Sequence, residues 1–384
     1  APASVPSLRF RWDRAAAEEA VLCQAPAPDP EKQGLLRDLY HRWGFYDTRR
    51  RRLQGGTRWQ QARSALVLAQ LGFKEALPAI IPLLESRSAD VRLAAINALG
   101  TFAEPNTAEA LLLRLSHGDG REARAILMAL LRCVAGTPGR MTSHLQHESK
   151  LVRIAAAATL AELARPAQTD ALLEAVDDPE PEVRSRVARA LGRTGDRRAL
   201  IGLQRLAVDP VWFVRLQAHA VLRRFGSAGT MESLGLGLED SDGRVQAKAA
   251  VSLYYRLGDA AGLLRRLRSQ GASPEAVGGL VDEMARHGTT WRAISSVCSP
   301  LGVEREPSQA LLAELLRAGY FAATFDALES HANLDVRDEL LRLVEQHAGP
   351  AAAVHVLGLL ASSTVEDATR QRAAGLLARW EAKA

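Results

Sequence analysis

A short segment recurs along this chain at a nearly constant spacing, and this repeat limits the possible folds more than any other feature. One copy reads DVRLAAINALG (90–100), and another reads EVRSRVARALG (182–192). Aligned on one position, here called the anchor, successive copies step by 32, 29, 31, 31 and 31 residues. A period of about 20 to 50 residues is typical of repeat architectures, in which each unit packs on its neighbours. The aligned anchors are Arg92, Arg124, Arg153, Arg184, Arg215 and Gln246, and an earlier copy places Arg63 29 residues before Arg92.

Each copy is predicted to be an amphipathic helix. The residues at offsets −1, +3 and +7 from the anchor are apolar in every copy, and these offsets share one face of a helix with 3.6 residues per turn. Four residues before the anchor, Ser88, Gly120, Ser149 and Asp242 are of types favoured as N-caps. The residue at +7 is always leucine: Leu99, Leu131, Leu160, Leu191, Leu222 and Leu253.

A second apolar segment lies between consecutive copies, for example EALPAIIPLLES (75–86). Each period therefore predicts a helical hairpin, whose apolar face is buried only when hairpins stack. We expect an all-α fold, an α-solenoid of helical hairpins forming an α-α superhelix. Pro82 should kink the first outer helix, because proline removes a backbone hydrogen bond.

The pattern D-P-x-x-x-V-R-x-x-A-x-A-L completes the description of the repeat. It is carried by Asp178, Pro179, Val183 and Arg184, and it returns at 209–222. This pattern resembles the HEAT-like repeats first named after phycobilisome lyases, over about residues 57–258. The resemblance implies that Arg184 and Arg215 are structural, each pairing with an acidic residue of a neighbouring loop. Gln246 departs from the pattern, so this ladder of pairs should weaken there.

Three segments are expected along the chain. Residues 1–56 carry no repeat and contain a helix at 11–22, the Pro-rich linker APAPDP (25–30) and an aromatic and arginine-rich stretch. Residues 57–258 hold the repeats of about 31 residues. Residues 259–384 hold degenerate helical repeats and a C-terminal cap.

The aromatic and arginine-rich stretch has two interpretations. Its rings could cover the first exposed hairpin as an N-terminal cap, with the arginines in solvent. Alternatively, the rings could sit at the headgroup level of a membrane with the arginines on anionic lipid. The residues concerned are Tyr40, Trp43, Phe45, Tyr46, Arg49, Arg50, Arg51 and Arg52.

Composition leaves the compartment and the partner open. The net charge is +5, which permits contact with nucleic acid, acidic protein or anionic lipid without selecting one. Cys23, Cys133 and Cys298 are too far apart in sequence to suggest a zinc site or a disulfide framework. No apolar run is long enough to span a membrane. We expect a cytoplasmic protein, with peripheral or N-terminally anchored membrane association, through a segment missing from this sequence, as the alternative.

No pattern of catalytic residues is evident, so we expect no enzymatic activity and no cofactor. His144 and His147, followed by Glu148, have ligand-like spacing, but a third ligand is lacking and we predict no metal site. Some base-excising DNA glycosylases are HEAT-like solenoids, and their activity requires an acidic residue framed by aromatics. The aromatics here match no such motif: Trp212, Phe213, Tyr254, Tyr255 and Trp291.

The function favoured by the sequence is that of a scaffold or adaptor, which binds a protein partner on the concave side of the repeats. The alternatives are a nucleic-acid-binding solenoid like the glycosylases and a chaperone like the phycobilin lyases. Exposed positions of the inner helices are apolar or small in the early copies and become polar and basic later. The predicted partner surface comprises Arg186, Arg189, Arg193, Gln217, Arg223, Arg224 and Lys248.

Overall fold

The computed structural model describes residues 11–25, 30–117 and 121–382. Within these ranges every regular element is an α-helix or a short 3-10 helix, so the predicted all-α fold is confirmed. The chain forms two compact units, Ala1–Gly202 and Leu203–Ala384. The division falls inside the repeats.

The first unit contains eleven α-helices among its described residues, and a twelfth helix spans the division. They are α1 Arg11–Gln24, α2 Pro30–Arg42, α3 Phe45–Gly55, α4 Arg58–Gln70, α5 Leu77–Ile80, α6 Ala89–Phe102, α7 Ala108–His117, α8 Ala123–Cys133, α9 Lys150–Leu163, α10 Thr169–Glu174, α11 Pro181–Thr194 and α12 Ala199–Leu206.

The second unit alternates outer and inner helices to its end. Its helices are α13 Trp212–Leu222, α14 Ala228–Gly237, α15 Gly243–Leu257, α16 Ala260–Ser269, α17 Pro274–Arg286, α18 Thr289–Ser296, α19 Gly302–Arg317, α20 Ala322–Ser330, α21 Leu334–His347, α22 Ala353–Ala361 and α23 Asp367–Glu381. The 3-10 helices are Lys74–Ala76, Ile81–Glu85, Pro105–Thr107, Pro138–Met141, Ser143–Gln146, Pro166–Gln168, Ala175–Asp177 and Pro350–Ala352.

Several local predictions can be compared with these boundaries. The helix expected at 11–22 is α1, and the aromatic and arginine-rich stretch lies on α2 and α3. Pro82 does more than kink its helix: the segment becomes α5 followed by the 3-10 helix Ile81–Glu85. Residues 26–29 of the Pro-rich linker and the expected N-cap Gly120 lie outside the described residues.

The predicted apolar stripe is the core. Inner helices pack on their neighbours along it, α4 on α6, α6 on α8 and α9 on α11 in the first unit, and α13 on α15 and α15 on α17 in the second. Burial of a leucine side chain contributes roughly 1.5–3 kcal/mol, so repeating it dominates the stability of the stack. The stripe residues that are fully buried include Val91, Ala95, Leu99, Val152, Ala156, Leu160, Val183, Val187, Leu191, Val214, Ala218, Leu222, Val245 and Ala249.

The predicted register is wrong by one residue in α8. Ile126 and Leu130 are buried there, whereas Leu131 is only half-buried and Arg124 is exposed. The anchor of this copy is therefore Ala123, 31 residues after Arg92. Two adjacent leucines on one helix satisfy the sequence pattern equally well, and packing against the neighbouring helices selects Leu130.

The first copy needs a similar correction. Ser64 and Leu68 are fully buried, which places the anchor at Gln61 rather than at Arg63. Arg63 is exposed and lies over the ring of Trp59, with its guanidinium carbon 5.2 Å from the ring centroid. The corrected anchors Gln61, Arg92 and Ala123 are evenly spaced by 31 residues.

The anchor arginines join each repeat helix to two loops. Arg215 donates through Nη1 to the carbonyl oxygens of Asp209 (2.8 Å) and Pro210 (3.2 Å), just before its own helix. It also donates through Nε and Nη2 to the carboxylate of Asp240 in the next loop, at 2.6 and 2.7 Å. Arg153 makes the equivalent contacts with Asp178 in the first unit. The structural role expected for Arg215 is therefore observed.

The acidic partners of this ladder are buried and ionised. Burial alone would raise the pKa of the Asp240 carboxyl, but hydrogen bonds from Arg215 and from the Asp242 backbone outweigh it and lower that pKa. Just before α8, the carboxylate of Glu122 likewise accepts hydrogen bonds from Arg92 and Arg114. These bonds lower the pKa of Glu122 although burial opposes the lowering.

The ladder changes at Gln246, where the sequence predicted that it would weaken. The carboxamide of Gln246 donates to the carbonyl oxygen of Asp240 at 2.7 Å and accepts from the backbone of Ser273 at 3.1 Å. It thus keeps the loop contact of an anchor arginine but supplies no charge. In the following copy, on α17, Ala276 and Leu280 are the buried residues at offsets −1 and +3. The anchor of that copy is therefore Val277.

A different polar cluster lies farther along the second unit. The carboxylate of Glu314 on α19 is 1% exposed. It accepts from Arg265 Nε at 3.3 Å, Arg268 Nη1 at 2.7 Å and Arg317 Nη1 at 2.6 Å. Arg265 and Arg268 lie on α16, which packs against α19. Glu314 therefore links α16 to α19.

The corrected register predicts unequal effects for two neighbouring leucines. Leu130→Ala should destabilise the fold by roughly 2–5 kcal/mol, because it removes a buried side chain and leaves a cavity. Leu131→Ala removes a half-buried side chain and should cost much less. Urea unfolding followed by circular dichroism at 222 nm measures both variants. An equal loss, or a larger loss for Leu131→Ala, would restore the register expected from the sequence.

The ladder predicts that removal of one partner is worse than neutralisation of both. Arg215→Ala leaves the buried Asp240 carboxylate without its cation and should cost roughly 3–5 kcal/mol. The double variant Arg215→Gln with Asp240→Asn should recover much of that loss, because the natural Gln246 already bonds to a loop carbonyl without charge. Urea unfolding compares the two variants. A double variant as unstable as Arg215→Ala would show that the ion pair itself is required.

Candidate partner-binding groove

A groove runs across the inner helices α13, α15 and α17 of the second unit. Its cavity volume is about 520 Å³. Small residues form part of its lining, among them Ala220, Ala247 and Gly279, and charged and aromatic side chains form the rest. These charged and aromatic residues are Arg223, Arg244, Lys248, Tyr255, Glu275, Glu283 and Arg286.

The cations of the groove differ in how far they are neutralised. Arg286 pairs with Glu283 at 2.5 Å, and Arg244 pairs with Asp242 at 2.6 Å. Among the residues that the structure describes, Lys248 has no hydrogen bond or ion pair, and Arg223 has no carboxylate partner. Two positive charges of the groove are therefore available to a ligand.

Two guanidinium groups lie on aromatic rings at the groove. The guanidinium carbon of Arg244 is 3.4 Å from the ring centroid of Trp212, and that of Arg223 is 4.7 Å from the ring centroid of Tyr255. An arginine stacked in this way keeps its edge N–H groups for hydrogen bonding.

Tyr255 is fixed by two further contacts. Its hydroxyl hydrogen-bonds to the carboxylate of Glu283 and to Nε2 of His287, at 2.5 Å from the latter. The hydrogen bond to Glu283, with a smaller contribution from burial, raises the pKa of Tyr255. The phenol therefore stays protonated near neutral pH and acts as a donor to Glu283.

The predicted partner residues divide between the two units. In the first unit, Arg186 pairs with Glu182 and Arg189 pairs with Glu162, while Arg193 is exposed on the last turn of α11. These are exposed or half-exposed charges on α11.

In the second unit the structure brings Arg223 and Lys248 together in the groove. Gln217 is half-buried, and Arg224 is exposed at the end of α13. Sequence reasoning missed Arg244, Tyr255, Glu275, Glu283 and Arg286 as members of the same groove. A usable signal existed, because Trp212 precedes Arg244 by 32 residues and Arg223 precedes Tyr255 by the same interval, about one repeat.

The aromatic residues of the N-terminal segment are largely buried. Tyr40 and Tyr46 pack on Phe73, Phe45 packs on Tyr40, and Trp43 is half-buried against Phe45. Three of the four rings, Tyr40, Phe45 and Tyr46, therefore lie inside the fold.

The four arginines of this segment are not equivalent. Arg49 is 3% exposed and pairs with Glu18 at 2.8 Å, while Tyr40 donates to the same carboxylate. Arg50 and Arg51 are exposed, and Arg52 is half-buried. Over the described ranges, no helix is both long and apolar enough to cross a membrane.

The histidines have local partners. His144 Nε2 lies 3.3 Å from Glu109 Oε1, and His147 Nδ1 accepts from the backbone of Ser149 at 3.0 Å. In the part of the chain that the structure describes, no group of three or more metal-ligating side chains is present.

His219 lies in the core of the second unit beside a second cavity of about 370 Å³, which Arg215 and Asp240 also line. The ring is 1% exposed, and its Nδ1 has no hydrogen-bond partner among the described residues. Burial lowers the pKa of His219 to about 4. The ring is therefore neutral in the folded protein near neutral pH.

The family model that describes HEAT repeats matches residues 51–131 and 140–223. No curated protein is similar enough in sequence to count as a relative.

Three solved structures illustrate the similarity of fold. Karyopherin Kap121p bound to Pho4p is 14% identical over 98% of this chain and 53% of its own, with a TM-score of 0.48. The complex of CpcE and CpcF of phycocyanin lyase from Nostoc sp. PCC7120 is 20% identical over 57% of this chain and 92% of its own, with a TM-score of 0.26. Human deoxyhypusine hydroxylase is 17% identical over 63% of this chain and 97% of its own, with a TM-score of 0.28. The chain spans about half the length of Kap121p, and likeness at this level carries no functional argument.

Burial of His219 predicts a loss of stability in mild acid. Its pKa is about 4 in the folded protein and about 6.5 in an unfolded chain, so the unfolded state binds more protons between these values. Stability should therefore fall as the pH drops from about 6.5 to about 4, by at most about 1.4 kcal/mol per pH unit from this residue. His219→Leu should remove that part of the slope, as urea unfolding at several pH values would measure. Equal slopes for both proteins would mean that the ring is protonated in the folded state.

Proposed function

We propose that this chain, which the HEAT-repeat family model matches over residues 51–131 and 140–223, is a non-catalytic scaffold or adaptor. It binds a protein partner through the inner helices of its second unit. The observation that carries the proposal is the groove across α13, α15 and α17. This groove presents unneutralised cations beside exposed aromatic rings, and it is built on rigid helices rather than on loops.

The residue types of the groove support a protein partner. Tyr, Trp and Arg are enriched at protein interfaces and among the residues that contribute most to binding. Trp212 and Tyr255 are 37% and 42% exposed, which is high for large aromatic side chains. Each ring is held by a stacked arginine, so a partner would meet a surface that is already ordered.

The hydrogen bonds in the groove support a non-catalytic role. Tyr255, Glu283 and His287 are close enough to exchange protons, but the pKa of Tyr255 is raised and that of Glu283 is lowered. For Glu283, burial opposes the lowering, and the hydrogen bonds from Tyr255 and His287 with the charge of Arg286 outweigh it. A protonated phenol and an ionised carboxylate form a stable donor and acceptor pair rather than an activated nucleophile.

Site-specific photocrosslinking in the native host tests this proposal. A benzophenone amino acid is placed at Val251, which lines the groove. The matched control carries it at Val354, an apolar residue that is 76% exposed on the outer helix α22. We expect irradiation to yield a discrete protein adduct from position 251 and none of that size from position 354.

Two results would contradict the proposal. Adducts that appear equally from both positions would mean that the groove is not the preferred contact. Adducts from position 251 that disappear on nuclease treatment would identify nucleic acid as the partner.

A further inference from the structure

On the basis of this proposed function, we propose that the groove recognises carboxylate side chains, and that the bound part of the partner is an acidic segment. Lys248 and Arg223 are the cations that bind these carboxylates. The partner is thereby defined by its chemistry, as a protein segment rich in Asp or Glu.

The charge balance of the groove supports this assignment. Its lining carries four cations, Arg223, Arg244, Lys248 and Arg286, and two carboxylates, Glu275 and Glu283. Glu283 neutralises Arg286, and Asp242 outside the lining neutralises Arg244. Lys248 and Arg223 remain without a carboxylate partner, and a ligand with two carboxylates would pair with both of them.

Stacking prepares Arg223 for this role. Its guanidinium lies over the ring of Tyr255, and that ring is held in turn by Glu283 and His287. The side chain therefore loses little conformational freedom when a carboxylate binds, and the planar group offers paired N–H donors that match a carboxylate.

Small residues line the bottom of the groove. A Cβ atom on Gly279 would lie 3.0 Å from Cβ of Ala247, so α15 and α17 approach closely between the charged walls. The cavity of about 520 Å³ has room for a few side chains of an extended segment.

The same groove suits a polynucleotide less well. Glu275 is exposed on the first turn of α17, and among the described residues it has no hydrogen bond or ion pair. A continuous phosphate backbone would bring negative charge against Glu275, whereas an acidic peptide can place a neutral residue there. Glu275 therefore favours discrete carboxylates over a uniform polyanion.

Fluorescence polarisation with defined peptides tests the assignment. The probe is a fluorescein-labelled octapeptide in which glutamate alternates with serine, called here the glutamate peptide. The control probe, the glutamine peptide, has glutamine in place of each glutamate. We expect the full chain to bind the glutamate peptide and to bind the glutamine peptide at least about tenfold more weakly, since one tenfold step corresponds to about 1.4 kcal/mol.

The variants separate the groove from general surface charge. Lys248→Gln should weaken binding of the glutamate peptide roughly three- to fivefold, and its combination with Arg223→Gln by more than about tenfold. Arg379→Gln changes the charge equally at an exposed position of α23 and should leave the affinity within about twofold. Circular dichroism establishes that each variant is folded.

A gain of affinity gives a result that misfolding cannot produce. Glu275→Gln removes a carboxylate from the groove and should tighten binding of the glutamate peptide roughly two- to fivefold. The matched control Glu381→Gln, at an exposed position of α23, should have no such effect.

The outcomes distinguish this inference from the proposed function. Equal binding of both peptides, together with a protein adduct from position 251, would overturn the preference for carboxylates and leave the scaffold function standing. Duplex DNA that binds more tightly than the glutamate peptide, and loses that affinity steeply with salt, would overturn both. Weakening by Arg379→Gln equal to that by Lys248→Gln would also overturn the inference, because the net charge alone would then explain binding.

Discussion

The structure depends first on one constraint: a helical hairpin of this size cannot bury its apolar face by itself. Within each unit, the stripe at offsets −1, +3 and +7 meets this constraint by packing inner helices on one another, so that residues such as Leu99, Leu191 and Leu222 are fully buried. Each buried leucine contributes roughly 1.5–3 kcal/mol. A surface ion pair contributes at most about 1 kcal/mol, so the apolar stripe, and not the abundant arginines, stabilises the stack.

The ladder of anchor arginines has a different role, because it joins each helix to the loops on either side of it. Burying a charged pair returns little net stability, since desolvation offsets the attraction between the charges. The contacts of Arg215 instead fix the positions of two loops relative to α13. Arg215 donates to two carbonyl oxygens of the loop before its own helix and to the Asp240 carboxylate in the next loop. Arginines used in this way are not free to bind a partner. In this respect the anchor arginines differ from Arg223, which has no carboxylate partner among the described residues.

The candidate groove lies where the ladder loses its charge. Gln246 replaces the anchor arginine on α15, and Val277 replaces it on α17. Both helices keep their apolar stripe, so stacking continues without the ladder. Lys248 and Arg223, two cations on this surface, have no carboxylate partner among the described residues. The ring of Tyr255 orients Arg223 instead, and the ring of Trp212 orients Arg244. This stacking distinguishes the groove from the paired arginines of α11.

The sequence by itself determined the helical class, the period and most of the buried stripe, because these follow from local periodicity and from residues that recur at equal offsets. It could not decide between Leu130 and Leu131, or between Gln61 and Arg63 as the first anchor, because adjacent residues of similar type satisfy the same pattern. Nor could it separate buried Arg49 from exposed Arg50, or find that Glu283, Tyr255 and Arg223 share a groove. Those distinctions depend on which side chains of different repeats meet, and only packing between helices about one period apart in sequence decides that.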